Sequence, residues 1–242
     1  MVENIYKFYE ENLGGYDFYS SLKNKRDLTP ELYNRLILIP DEIGYPISEI
    51  KSKSVNKLDE VYVQHGDLRI DMPILIGSTQ PKVRILILGL EPRHTDDFYN
   101  VLKKDKTVYA TPFGIDRWFA GVKQNIYASA FHKYLAPDRL FLFSDFVKQY
   151  EVIDPNNKNK NGNNARDRFK HLFESKYQNI LTEEIKLFAP HIIIGMGKID
   201  ISNKVPKDFI KDNKINIICH PTRGNYPRMI KGMDEIFNSL TS

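Results

Sequence analysis

Four loops in this chain carry residue types that can do chemistry. The loop GLEPRH at 89–94 places an acid, a fixed cation and an imidazole (Glu91, Arg93 and His94) within four residues. A carboxylate in such a loop can orient water or stabilise a developing cation, and an imidazole can donate to a developing anion. Asp145 closes a second run, FLFSD at 141–145, and TPFG at 111–114 offers Phe113 as an aromatic surface. The fourth loop, HPTRGN at 220–225, sets His220 beside Thr222, Arg223 and Asn225, with Arg228 and Lys231 following. Each has a structural competitor. Glu91 also reads as a loop acid near a helix start, His220 as a satisfied buried histidine, and His94 as a cap or phosphate contact. Phe113 also reads as core, Asp145 as a cap on segment 146–150, and the basic residues as a solvated helix start.

The elements that must position these loops follow from hydrophobic pattern. Residues 83–88 are apolar except Arg84, so they read as a strand buried on both faces. Gly89 ends it, Pro92 blocks its continuation, and the polar loop is left at its carboxyl end, where ligands bind in open α/β sheets. Further strands are expected at 140–143, 191–195 and 215–219, and a hairpin around His65-Gly66-Asp67 over 61–76. Helical spacing is read at 5–13, 30–38, 96–103, 116–135, 165–188 (broken near Tyr177) and from Met229 to Leu240. Residues 51–57 and 154–164 read as solvated, loop-like stretches. Strands alternating with helices imply a three-layer α/β/α sandwich with a central, mainly parallel four-stranded sheet. Parallel strands would carry the loops of Glu91, Asp145 and His220 to one edge. Residues 1–75 are expected as an N-terminal helical extension packed on an α/β/α domain spanning 76–242.

Composition narrows the function classes. The single cysteine, Cys219, excludes an internal disulfide and any four-cysteine iron–sulfur or zinc site. A net charge of +4 leans mildly toward a polyanionic partner. No apolar run approaches the roughly 20 residues of a membrane span, and the start of the chain is unlike a signal peptide, so a cytoplasmic protein is expected. GMGK at 195–198 lacks the spacing of a phosphate-binding loop.

Over residues 82–240 the ordered motifs resemble those of the uracil-DNA glycosylase superfamily. GLEPRH is similar to its first motif, whose third position holds the water-activating residue. TPFG resembles the loop whose Phe stacks on the extruded base, and FLFSD the strand ending in a base-reading Asn. FAPHIIIGMG resembles the third-strand element, and CHPTRGNYPR the motif with the catalytic His and the loop that probes the duplex. The resemblance implies the fold of that superfamily, in a cluster-free branch of single-strand-selective or classical type. It also implies a monofunctional DNA glycosylase of base excision repair that flips an altered base, cleaves its N-glycosidic bond and leaves an abasic site. Glu91 and His220 would be catalytic. Gly89, Leu90, Arg93, His94, Phe113 and Asp145 would bind the base, and Thr222, Arg223, Asn225, Arg228 and Lys231 the DNA. No cofactor or metal is implied, and a monomer acting on single- or double-stranded DNA is expected.

Two departures from the pattern bear on substrate. Asp145 stands where the superfamily usually has Asn; an ionised carboxylate only accepts hydrogen bonds, so it disfavours uracil's O4 unless it is protonated. Arg93 replaces the residue expected to police thymine's methyl. The alternative is a catalytically silent relative that binds nucleic acid or a nucleotide. A further rival is an unrelated α/β hydrolase or transferase acting on a small nucleoside.

Overall fold

The structure, a computed structural model, describes residues 2–13, 68–71, 73–78, 80–92, 107–110, 112–114, 131, 133–151, 169–220 and 224–239. Its centre is strand β3 (Val83–Gly89), preceded in the chain by β1 (Leu68–Asp71) and β2 (Ile74–Gly77). After β3 come β4 (Thr107–Ala110), β5 (Arg139–Asp145), β6 (Gln149–Glu151), β7 (Ile192–Met196) and β8 (Asn216–Ile218). Alternation along these strands sends side chains to two faces. Leu75, Leu86, Leu88, Leu140, Leu142 and Ile193 point into one core. Ile74, Ile76, Ile85, Ile87, Phe141, Phe143 and Ile194 point into the other.

Helices cover both faces. The leucine face receives α1 (Val2–Asn12) through Ile5 and Tyr9, with Leu13 just beyond it. It also receives α2 (Gln178–Phe188), α3 (Lys198–Lys204) and α4 (Lys207–Asp212). The opposite face is covered by α5 (Tyr226–Asn238) through Met229, Met233 and Phe237, and by Phe131 and Tyr134. At the expected break near Tyr177 the chain makes a π-helical turn, Phe173–Tyr177, before α2. Both end residues of that turn are buried, and Tyr177 donates its hydroxyl to Gln149 on β6. Among the described residues no helix is long and apolar enough to cross a membrane.

The sheet differs from expectation. Instead of a mainly parallel four-stranded sheet of glycosylase type, the central sheet is five-stranded and mixed, in the order β2-β5-β3-β7-β8. The added edge strand β2 runs antiparallel to β5, while β5, β3, β7 and β8 are mutually parallel. The reason is connection length. Only residues 78–82 separate β2 from β3, whereas a parallel crossover takes a dozen or more residues, so β2 must run the other way. Gly77 ends β2 at φ 125° with its α-carbon pressed on the Arg139 carbonyl, where a Cβ would lie 2.3 Å from that oxygen.

A second sheet of three strands, β4-β1-β6, was also not anticipated. In it β1 is parallel to β4 and antiparallel to β6, so β1 and β2, which both fall in the second arm of the expected hairpin, join different sheets. The hairpin tip at 65–67, the expected helices at 30–38 and 96–103, most of that at 116–135 and the loop at 154–164 lie outside the described residues.

Candidate functional site

The carboxyl ends of β5, β3, β7 and β8 share one edge because those strands are parallel. Gly89 and Asp145 are register partners at the tips of β3 and β5. Pairing runs slightly further, with Phe146 donating to the Gly89 carbonyl at 2.9 Å and Val147 to that of Leu90 at 3.1 Å. Glu91 therefore leaves β3 directly beside Asp145. His220 follows β8, two strand spacings from β3, or about 10 Å across the edge. Leu90 turns its side chain toward the leucine-face core.

The small sheet brings the aromatic ring to the same place. Asp71 ends β1 in register with Ala110 at the end of β4, and the turn Pro112–Gly114 follows immediately. Phe113 in that turn is held at φ 59°, a left-handed conformation that L-residues adopt only when their surroundings enforce it. Its ring tip and the Asp145 carboxylate both press on Gly89. A Cβ built there would lie 2.0 Å from Asp145 Oδ1 and 3.1 Å from Phe113 Cζ. Gly89 is thus required by close approach. Gly89→Ala is expected to force Asp145 and Phe113 apart and lower stability by about 1–3 kcal/mol, as overpacking does. A urea titration checks this; a midpoint unchanged from wild type would show that the contact is absent.

Glu91 is almost covered, its side chain 6% exposed, and pairs with Lys204 of α3 at 3.5 Å. His220 is half-buried, and burial holds its imidazole below its usual pKa against the opposing charge of Asp200 on α3. His220 is therefore mostly neutral at pH 7 and presents an N–H donor without a charge. Asp200 and Lys204 lie one turn apart on α3, so one helix face serves both the acid and the imidazole.

Beneath the edge lies a buried polar cluster that pattern reading missed. Lys148 is fully buried and ion-pairs with Glu184 of α2 at 2.7 Å. It also donates to Ser144 Oγ and to the Asp145 carbonyl. Asp71 accepts the Asp145 backbone N–H at 2.9 Å on Oδ2, and its own N–H donates to the Lys148 carbonyl at 2.8 Å. Its Oδ1 is buried with no hydrogen-bond partner among the described residues. Among the described residues the cluster therefore packs three carboxyl groups around one ammonium. Burial raises the Asp71 carboxyl well above its ordinary range, with Asp145 adding to the shift. Burial also lifts Asp145 to about 7, with Lys148 opposing and Glu91 and Glu184 reinforcing. One signal for this cluster was present in the sequence: Glu184 shares helical spacing with Leu181 and Phe188, on the face that packs.

Linkage sets the sign of the pH response. A carboxyl whose folded pKa is raised holds its proton longer folded than unfolded, so its stabilising contribution is lost as pH climbs from the ordinary carboxylate range to about 7. His220 works in the opposite sense, favouring the folded state above its unfolded pKa. With Asp145 and Asp71 both raised, stability is expected to fall from about pH 4 to about pH 7, at up to about 1.4 kcal/mol per pH unit for each proton held. Urea midpoints across that range give the slope; a midpoint that rises with pH would contradict it.

The remaining candidates are more dispersed. Asn225 precedes α5 and its carbonyl accepts the Met229 N–H at 2.9 Å. Arg228 and Lys231 are exposed on α5, and Lys231 pairs with Glu235 at 3.9 Å. Arg93, His94, Thr222 and Arg223 lie outside the described residues. Asp145 faces Gly89, and the segment after it bends into β6, leaving no helix for it to cap. No protein-family model matches the chain, and no curated protein matches it significantly.

Proposed function

We propose that the protein is a monofunctional DNA glycosylase related to the uracil-DNA glycosylase superfamily, acting in the cytoplasm as a monomer on an altered base in DNA. The observation that carries this reading is the junction of Gly89, Phe113 and Asp145. A strained aromatic ring and a buried hydrogen-bonding group meet at a bare α-carbon, beside the loop that bears Glu91. An extruded base needs such a place, with a ring to stack on and a polar group to read its edge. The ordered motifs supply the second line of support.

In this reading the N-glycosidic bond breaks with its electron pair passing to the base nitrogen. Glu91, held by Lys204, stabilises the cationic sugar and orients water, whose oxygen bonds to the anomeric carbon. The water's spare proton passes to Glu91 and then to solvent. Neutral His220 donates its N–H to the oxygen of the departing base, as an oxyanion donor does. Arg228 and Lys231 on α5 supply cations for phosphate, and their contribution weakens with salt. No step calls for a metal or cofactor.

Oligonucleotides bearing uracil, hypoxanthine, xanthine or 5-substituted uracils, incubated with the protein and then treated with alkali, test the activity. Breaks at one or more of these bases are expected. Intact strands across the panel, with an active control enzyme, would overturn it. One observation favours a second reading, a silent relative that binds nucleic acid: Glu91 is nearly covered and its charge is already matched by Lys204. That version gives salt-sensitive DNA binding, unaffected by Glu91→Gln, and no base release.

A further inference from the structure

The buried cluster behind Asp145 bears on which bases the pocket accepts. From every element packed around it, charge faces that carboxyl. Asp71 comes from β1, Glu91 from the loop after β3, Lys148 from the bend after β5, and Glu184 from α2. Lys204 of α3 stands behind Glu91. Among the described residues, the only cation directly in the cluster, Lys148, is engaged by Ser144 Oγ, the Asp145 carbonyl and Glu184. Asp71, Asp145 and Glu184 are all buried, at 0%, 3% and 0% exposure. Three ionised carboxylates around one ammonium would leave two uncompensated charges out of water, which buried sites avoid by keeping protons.

We propose that Asp145 meets the base as a neutral carboxylic acid, so that the pocket reads an N–H beside a C=O, the edge shared by deaminated bases. A neutral carboxyl has one donor and one acceptor, as the amide of Asn does. Its carbonyl oxygen accepts the ring N–H and its O–H donates to the neighbouring exocyclic oxygen. Uracil presents that pair at N3 and O4, and hypoxanthine and xanthine present it at N1 and O6. An ionised Asp145 would instead offer two acceptors and suit the adjacent donors of guanine. The protonation of one carboxyl therefore sets which hydrogen-bonding edge is read and makes recognition weaken with rising pH. The displacement of this carboxyl's titration toward neutrality by burial agrees with the packing.

This inference rests on the glycosylase reading, and its test separates the two. Carboxyl carbon NMR of protein labelled at Asp, with Asp145→Asn used to assign the Asp145 resonance, reports protonation whether or not any base is released. A midpoint near neutrality is expected, and one in the ordinary carboxylate range would overturn the proposal. Glu184→Gln removes a charge that holds the proton on, so the midpoint should move to lower pH. In single-turnover release of uracil, the wild-type rate should fall about tenfold per pH unit above that midpoint. Asp145→Asn should flatten this alkaline limb, and Glu184→Gln should shift it together with the NMR midpoint. Parallel limbs in all three proteins would overturn the proposal. Absence of release at every pH, with Asp145 titrating near neutrality, would instead overturn the glycosylase reading and leave the buried proton established.

Discussion

Lys148→Met is expected to destabilise the protein by about 3–5 kcal/mol at neutral pH, the range seen when one partner of a buried ion pair is removed. Lys148 is fully buried and is the ammonium that Glu184, Ser144 and the Asp145 carbonyl share. Without it, Glu184, Asp71 and Asp145 are left with no cation among the described residues of the cluster. The loss should shrink on acidification, because protonating those carboxyls removes the charge that lacked compensation. The double variant Lys148→Met with Glu184→Met should recover much of the stability, since a buried pair replaced by apolar residues of similar volume is often neutral. Urea titrations of the four proteins in this cycle measure it. Additive losses in the double variant would show that the two residues are not coupled.

Glu91→Gln is expected to slow base release by about 10²–10⁴-fold, the usual scale for removing a positioned catalytic acid or base. The amide keeps the size of the side chain but cannot stabilise a sugar cation. Affinity for the damaged oligonucleotide should change far less, because stacking on Phe113 and reading by Asp145 do not use Glu91. The substitution also breaks the pair with Lys204, so a urea midpoint is measured alongside to separate misfolding from lost chemistry. Equal losses in binding and in rate would point to a structural role for Glu91.

The strands at the heart of the fold were legible because they bury long apolar runs. VRILILG and RLFLFSD alternate Leu against Ile and Phe, and the structure sorts these onto separate faces. Strand β2 was read only as part of a hairpin, because a four-residue run states no partner and its direction follows from the shortness of the link to β3. The small sheet escaped notice for a related reason. Its three strands are short and pair across long sequence separations, which local periodicity does not encode.

The site divides in the same way. Glu91, Asp145 and His220 stand out because each follows a strand whose carboxyl end is marked by a polar residue. The partners that set their chemistry do not stand out. Lys204 and Asp200 lie on α3, a seven-residue helix with no strong pattern. Lys148 and Asp71 look like ordinary surface charges until β1 and the bend after β5 close over them. Asp145 in particular reads from sequence as a departure that disfavours uracil unless it is protonated. Burial among like charges raises that carboxyl's pKa, and burial is a property of the fold.

The most direct measurement is the crystal structure of the Glu91→Gln variant bound to an oligonucleotide containing uracil. An extruded uracil is expected on the Phe113 ring, its N3 and O4 edge within hydrogen-bond distance of the Asp145 carboxyl, and its sugar between residue 91 and His220. A uracil still stacked within the DNA, or one bound away from Gly89 and Asp145, would contradict it.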